Sequence, residues 1–338
     1  MQILVTLPES STRELLFPEH VRAHLESIAE IQYNDTGEQF SQAELREQLP
    51  GVDVLMTGWG SPRVDEEVLS AADQLELVVH VGGSVAEIAS PELYQQGIPI
   101  CSANRPMAKF VAEGILAYVL SALRDVPAFD RELRAGEWNP DLDRVDTLFG
   151  KRVGFVGLGT VGEFLLDLLE PFGADVTIYD PYVDRERVTD EYDIEFAPLD
   201  STLANAEVVS IHASQTPETI HLLGGDELVR LPDGALLVNA ARGAIVDEDA
   251  LIDELRTGHI AAVLDVFEQE PLPPDSELRA LDNAILIPHM AGGPVKHCMT
   301  EAMIVEIERF RRDDPLEHEI SEEQYELMTR DSLSAEDA

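Results

Sequence analysis

The chain has 338 residues, enough for two domains with substantial cores, and carries 66 acidic against 23 basic side chains, a net charge of −43. Such a field repels nucleic acid and anionic membranes. A hydrophobic fraction of 44% in regular apolar segments excludes acidic disorder for most of the length.

In chain order, short apolar strands are predicted at 2–6, 29–33, 52–57, 75–81 and 98–101. Helices are predicted between them at 19–27, 42–48, 65–71 and 91–95. An apolar helical run follows at 110–123, read as too short and too interrupted to span a membrane, and then a loop-like stretch at 127–148 containing Trp138. A second series of strands is predicted at 153–156, 208–212, 235–239, 262–265 and 284–287, where Pro288 ends the last. A helix at about 294–311 is expected to return to the first domain, and the acidic tail after Thr329 to be disordered. This alternation predicts an α/β protein: two Rossmann/flavodoxin-like domains with parallel sheets and an active-site cleft between them. The expected domains are 1–102 with 291–338, binding substrate, and 103–290, binding a dinucleotide.

The stretch 153–180, VGFVGLGTVGEFLLDLLEPFGADVTIYD, is the most informative. A strand runs into Gly157, Gly159 and Gly162, a helix follows, and a second strand ends on Asp180, 18 residues after the third glycine. This is the G-x-G-x-x-G dinucleotide fingerprint in its required context. The glycines allow a tight turn, close approach of a pyrophosphate to the backbone, and helix–strand packing. A carboxylate at Asp180 can accept hydrogen bonds from a ribose 2′-OH, which predicts NAD rather than NADP.

Four further segments place ionisable or glycine-rich groups just past strand ends: VNAARGAIVDEDAL with Arg242, LDVFEQEP with Asp265 and Glu270, IPHMAGG with His289, and VVHVGGSV with Gly82, Gly83 and Ser84. Ligands of open α/β sheets bind outside the carboxyl ends of the strands. Arg is a planar cation that can grip a carboxylate bidentately. A histidine oriented and kept charged by a carboxylate is a proton donor near neutral pH. Taken singly, Arg242 reads as a structural ion-pair residue, Glu270 as a solvated charge beside Glu268, and His289 as a packed turn histidine; the combined motif outweighs those readings. His80, His212, His221, His259 and His297 read as structural or cofactor-lining. Trp59 in TGWGSP is a candidate for the substrate pocket, with core packing equally compatible. His and Cys residues show no metal-ligand spacing, so no metal is expected.

These segments resemble the D-isomer-specific 2-hydroxyacid dehydrogenase family, which includes D-lactate, glyoxylate/hydroxypyruvate, 3-phosphoglycerate and formate dehydrogenases. The resemblance covers nearly the whole chain, most closely 111–293. It implies that Arg242 holds the substrate carboxylate and carbonyl, that His289 is the acid/base, and that Glu270 pairs with His289. It also implies that Asp265 fixes the nicotinamide carboxamide. Thr160 and Val161 would contact the pyrophosphate, Ala213, Ser214, Ala240 and Ala241 would line the cofactor, and the backbone N–H groups of Gly82, Gly83 and Ser84 would bind the substrate carboxylate. A dimer is implied by the resemblance alone. The chain departs from the family at Gly82-Gly83-Ser84-Val85-Ala86-Glu87, where the substrate loop commonly reads G-x-G-x-D-N-x-D, and at His212-Ala213-Ser214, where His-x-Pro is common. Glu270, an amide in formate dehydrogenases, argues against formate, and the scarcity of cations near the pocket argues against a phosphorylated substrate.

The expected activity is hydride transfer between NAD(H) and a small D-2-hydroxy or 2-oxo acid, glyoxylate- or hydroxypyruvate-like. The alternative is an NAD(H)-sensing, corepressor-like binding protein on the same fold, which would not need Arg242, Glu270 and His289 together. The acidity reads as adaptation to a very salty cytoplasm, where a short Debye length screens self-repulsion. Cys101 and Cys298 cannot form a disulfide framework, and the N-terminus MQILVTLPES has no signal-like pattern, so a cytoplasmic protein is expected.

Overall fold

In the computed structural model, which describes residues 1–138, 141–293 and 296–333, side-chain alternation along the first strands builds a sheet covered on both faces. β1 (Gln2–Val5), β2 (Glu30–Tyr33), β3 (Val54–Thr57), β4 (Leu77–His80) and β5 (Ile100–Ser102) are mutually parallel, in the order β2-β1-β3-β4-β5. Ile3, Val5, Val54, Met56, Leu77 and Val79 bury one face against Val21 and Leu25, and against Met299, Met303, Ile304 and Ile307 of the helix His297–Arg311. Leu4, Leu55 and Val78 bury the other against Leu45, Leu49, Val68 and Leu93. With neither face wet, the strands read as unbroken apolar runs.

The second unit has seven strands, also all parallel: β6 (Arg152–Val156), β7 (Asp175–Tyr179), β8 (Glu195–Phe196), β9 (Val208–Ile211), β10 (Leu236–Asn239), β11 (Ala261–Leu264) and β12 (Ala284–Leu286). Their order is β12-β11-β10-β9-β6-β7-β8. The chain winds outward from β6 in one direction to β8, then restarts at β9 on the other side, so the topological switch point lies between β6 and β9. Val156, Val209, Ile211, Leu237, Ala262 and Leu264 form a core with Leu251 and Leu255 of the helix Glu248–Thr257. Among the described residues, the compact units are 1–107 with 296–332, and 108–293 with Leu333.

Several elements differ from expectation. Part of the expected loop 127–148 is a helix, Val126–Arg134, with Pro127 in its first turn, where a missing N–H costs nothing; its apolar positions Val126, Phe129 and Leu133 span little more than two turns and bury no residue. The helix Ser11–Leu16 and the two-residue β8 are too short to show a period. The apolar run at 110–123 belongs to a longer helix, Asn104–Leu123, whose 20 residues and mean hydropathy of 1.4 do reach membrane-crossing values by length and composition. Ala108, Val111, Ala112, Ile115 and Val119 of that helix are buried within the protein, and the rest of its most apolar stretch is not. The tail after Thr329 is placed as far as Leu333: Ser84 Oγ donates to Thr329 O (2.6 Å), Ser332 Oγ to Glu87 Oε1 (2.8 Å), and Gln215 Nε2 to Leu333 O (2.8 Å). Residues 334–338, the rest of the tail expected to be disordered, lie outside the described residues, as do the first two of the helix expected at 294–311.

Candidate active site

Because every strand of the second sheet is parallel, every sequence motif after a strand emerges at the same edge. Arg242 follows β10, Asp265 and Glu270 follow β11, and His289 follows β12, three strands that are neighbours in the sheet. Asn239 at the end of β10 shapes the Arg242 turn: its Nδ2 donates to Arg242 O (2.9 Å) and its Oδ1 accepts from Ala241 N (3.1 Å). Gly243 then lies against the Phe267–Glu268 peptide so tightly that a Cβ there would fall 1.9 Å from Phe267 C. Only a hydrogen allows the Arg242 and Glu270 loops to approach this closely.

His289 Nδ1 and Glu270 Oε2 are 2.8 Å apart, and Glu270 Oε1 accepts from Phe267 N at 3.1 Å. The hydrogen bond to Glu270 is the main cause that raises the His289 pKa above its ordinary value; burial and the Arg242 charge oppose it, while the charges of Glu270 and Asp265 assist. Burial alone would raise Glu270, but its bond to His289, the His289 charge, the Phe267 N–H and Arg242 together hold it below the ordinary carboxyl value. Arg242 thus acts electrostatically on both partners.

His289 has φ of +52°, a left-handed conformation uncommon outside glycine. Asp265 holds it there. Its backbone oxygen accepts from His289 N (2.8 Å), and its carboxylate accepts from Met290 N (2.7 Å) and Ala291 N (2.9 Å), with the Tyr118 hydroxyl at 3.4 Å. Both oxygens of this buried residue therefore serve the loop that carries His289. Sequence reasoning missed that role. The hint was positional: Asp265 ends the strand next to the one that delivers His289.

The fingerprint fits a dinucleotide. Gly157 has φ of +78°, and a Cβ on it would lie 2.6 Å from Ala213 N and Cα, at the end of β9 across the switch point. Gly159 opens the helix Gly159–Leu169, whose N-cap Leu158 makes no side-chain cap, and Thr160, Val161 and Gly162 continue its first turn, the end of a helix that favours a phosphate. Asp180, just past β7, accepts from Leu158 N (2.9 Å) in the glycine loop and from Tyr182 N and Val183 N (2.8 and 3.0 Å) in its own turn. A carboxylate has about four lone-pair sites, so room for a ribose hydroxyl remains. Ala213 N bonds Val156 O (2.9 Å), Ser214 O accepts from Thr219 Oγ1 (2.6 Å), and Ala240 and Ala241 follow β10.

The other predicted residues belong to the first unit. Gly82 packs on the His80 ring, where a Cβ would fall 2.4 Å from Nε2. Burial pushes the His80 pKa down to about 4, so this ring is neutral, with Nδ1 3.0 Å from Thr57 Oγ1. The Ser102 hydroxyl donates to the carbonyls of Gly82 and Gly83, and the Ser84 side chain is engaged by the chain near Thr329. Trp59 is not a core residue: it is 43% exposed, and Lys296 Nζ lies 5.0 Å from its ring centre. Two histidines read as structural or cofactor-lining behave differently from each other. His212 is driven down to about 3 by burial against the Phe155 ring, whereas His221 pairs with Glu268 at 2.7 Å.

Residues 116–291 match the family described as D-isomer specific 2-hydroxyacid dehydrogenase, NAD binding domain. The chain belongs to this family. Among its relatives is the glyoxylate reductase of Korarchaeum cryptofilum, 32% identical over 310 residues, covering 90% of this chain and 92% of that one. The D-3-phosphoglycerate dehydrogenase of Archaeoglobus fulgidus is 34% identical over 266 residues, covering 78% of this chain and 50% of its own. The chain thus spans about half the length of the phosphoglycerate dehydrogenases it matches. A Thermus thermophilus crystal structure superposes with a TM-score of 0.75 at 28% identity, covering 95% of this chain and 100% of the other. The two α/β units with all-parallel sheets are the architecture of this dehydrogenase family.

Proposed function

We propose that the protein is an NAD-dependent oxidoreductase moving a hydride between NAD(H) and a small D-2-hydroxy or 2-oxo acid of the glyoxylate/hydroxypyruvate kind. The observation that carries this reading is the His289–Glu270 contact of 2.8 Å beside Arg242. The nicotinamide supplies the hydride chemistry. Arg242 grips the substrate carboxylate and polarises the carbonyl through its planar fork of donors. Glu270 occupies Nδ1 of His289, so the other ring nitrogen delivers a proton to the carbonyl oxygen on reduction and withdraws it on oxidation. By the family likeness, the backbone of Gly82, Gly83 and Ser84 would bind the carboxylate, Trp59 would serve the substrate pocket, and Asp265 would hold the carboxamide. The likeness to a glyoxylate reductase, over 90% of this chain and 92% of that one, supports an unphosphorylated substrate. NADH oxidation with a panel of 2-oxo acids at high salt tests the proposal. Turnover of glyoxylate or hydroxypyruvate is expected, and NADH binding without turnover of any acid would favour a sensing scaffold instead.

NAD(H) is expected to be used in preference to NADP(H). Asp180 repels a 2′-phosphate, and the two nearby cations are engaged elsewhere: Arg187 pairs with Glu163 and Glu191, and Arg185 lies 5.3 Å from the Phe196 ring centre with Nη2 on Asp180 O. The ratio of kcat/KM for the two cofactors decides this; a preference for NADPH would mean that one of these arginines swings over.

The surplus of acid supports a protein of a salty cytoplasm, without nucleic-acid or membrane partners. The Debye length shrinks to about 3 Å at 1 M salt, so self-repulsion among 43 excess negative charges is relieved there. The thermal midpoint should climb from dilute buffer to multimolar KCl, and a flat or falling curve would remove this part of the proposal. A homodimer is also proposed. Only 28% of the most apolar stretch of the helix Asn104–Leu123 is buried, and Val126 and Leu133 are more than half exposed, so a second copy would cover apolar surface. Light scattering in KCl should then return twice the chain mass of 37.3 kDa.

A further inference from the structure

The helices Glu19–Ile28 and His297–Arg311 pack against the same face of the first sheet. Along their seam lie two His–Glu rungs: His20 with Glu301 at 3.3 Å and His24 with Glu308 at 3.4 Å. The first rung has a third member. The His297 ring stands edge-on to His20, with ring centres 5.6 Å apart at 77°. One ligand atom from each of His20, His297 and Glu301 lies within 4.8 Å of the others. His297 and Glu301 are one helical turn apart on one face, the spacing that lets two side chains grip one ion. The neighbouring cation, Lys296, is turned onto Trp59 and leaves the cluster negative.

We propose that His20, His297 and Glu301 form a binding site for one divalent transition-metal ion of the zinc type. Two imidazole nitrogens and one carboxylate oxygen suit Zn²⁺, Co²⁺, Ni²⁺ or Cu²⁺ over Mg²⁺ or Ca²⁺, which require mostly oxygen ligands. Three protein ligands leave at least one position for water. Closing from 4.8 Å to the roughly 3.3 Å edge of a tetrahedral zinc site asks only for small side-chain rotations, and His20 is largely exposed and free to make them. The protein's negative field concentrates divalent cations at its surface. Sequence spacing hid the site because His20 and Glu301 are 281 residues apart. A second cluster, Glu306, Glu317 and His318, makes a poorer cation site, because Arg309 already ion-pairs with both of its carboxylates. The ion would clamp the first-domain helix Glu19–Ile28 to the helix that follows the His289 loop in sequence.

The test uses the full chain, stripped of metal and held in concentrated KCl. Zn²⁺ is titrated in competition with a chromophoric chelator, and Co²⁺ absorption reports the ligand set. One equivalent per chain is expected to bind in the micromolar range. His20→Ala and His297→Gln should each weaken it at least about tenfold, Glu301→Gln should weaken it too, and His24→Ala on the adjacent rung should leave it unchanged. Zinc should raise the thermal midpoint of the wild-type chain and not that of His20→Ala, an exposed substitution that leaves the core intact. No saturable site, or a site that survives both histidine substitutions, would overturn the proposal and leave the cluster as a surface ion pair.

Discussion

Replacing His289 by alanine is expected to lower turnover by about 10²–10⁴-fold, the usual contribution of a positioned general acid or base. Cofactor binding should survive, because His289 follows β12 while the glycine loop follows β6, at the far side of β11, β10 and β9 in the sheet. A companion substitution separates proton transfer from mere packing. Glu270→Gln removes the largest cause that raises the His289 pKa and leaves burial and Arg242 pushing it down. Because its pKa in the folded protein is raised, wild-type His289 remains protonated above the ordinary histidine value of 6.5 and loses its proton only as pH rises through the raised value. The alkaline limb of the carbonyl-reduction profile should therefore move toward acid in Glu270→Gln. Glu268→Gln should leave it in place, since Glu268 serves His221 instead. An alkaline limb that ignores Glu270→Gln would sink the assigned relay. Arg242→Ala should raise KM and lower kcat while leaving NADH affinity nearly intact.

Asp265→Ala is expected to be nearly as damaging to turnover, though Asp265 need not touch the reacting atoms to produce that loss. Removing its carboxylate leaves the part-buried N–H of Met290 and the buried N–H of Ala291 without their partner, at about 1–3 kcal/mol for an orphaned buried group such as the latter. It also frees a residue that occupies a strained φ of +52°. A displacement of His289 by about 1 Å can cost on the order of 10² in rate. The expected signature is a fall in kcat with a lower thermal midpoint. Asp265→Asn retains one acceptor and should recover part of the midpoint. A variant that loses NADH affinity but keeps its midpoint would instead assign Asp265 to the cofactor alone.

Much of this could be read in the residues themselves. Apolar runs of four or five residues bounded by Gly, Pro and Asp announced parallel strands buried on both faces; of the twelve strands among the described residues, ten coincide with predicted ones to within two residues at each end, β7 stops one residue before the predicted strand end at Asp180, and β8 was not foreseen. The helix predicted at 42–48 is present as Gln42–Gln48, and Ser41 and Glu44 form its capping box. The glycine fingerprint and Asp180 needed only local spacing, because a tight turn, a helix N-terminus and a strand-end acid all arise within one βαβ unit. Short elements that bury little stayed hidden, among them the helix Val126–Arg134, which buries nothing. The order β12-β11-β10 was equally invisible, yet it is what sets His289, Glu270 and Arg242 side by side. Strand order follows from how helices of different size cover the two faces of a sheet, a property of the whole core rather than of any window of residues. The same holds for Asp265, whose N–H partners come from residues 25 and 26 positions away, and for His20, whose neighbours are supplied by the other end of the chain. Sequence alone determined which chemical groups the protein has and at which strand ends they stand; tertiary packing alone decided which of them meet, because contact between distant residues is set by the layering of sheets and helices.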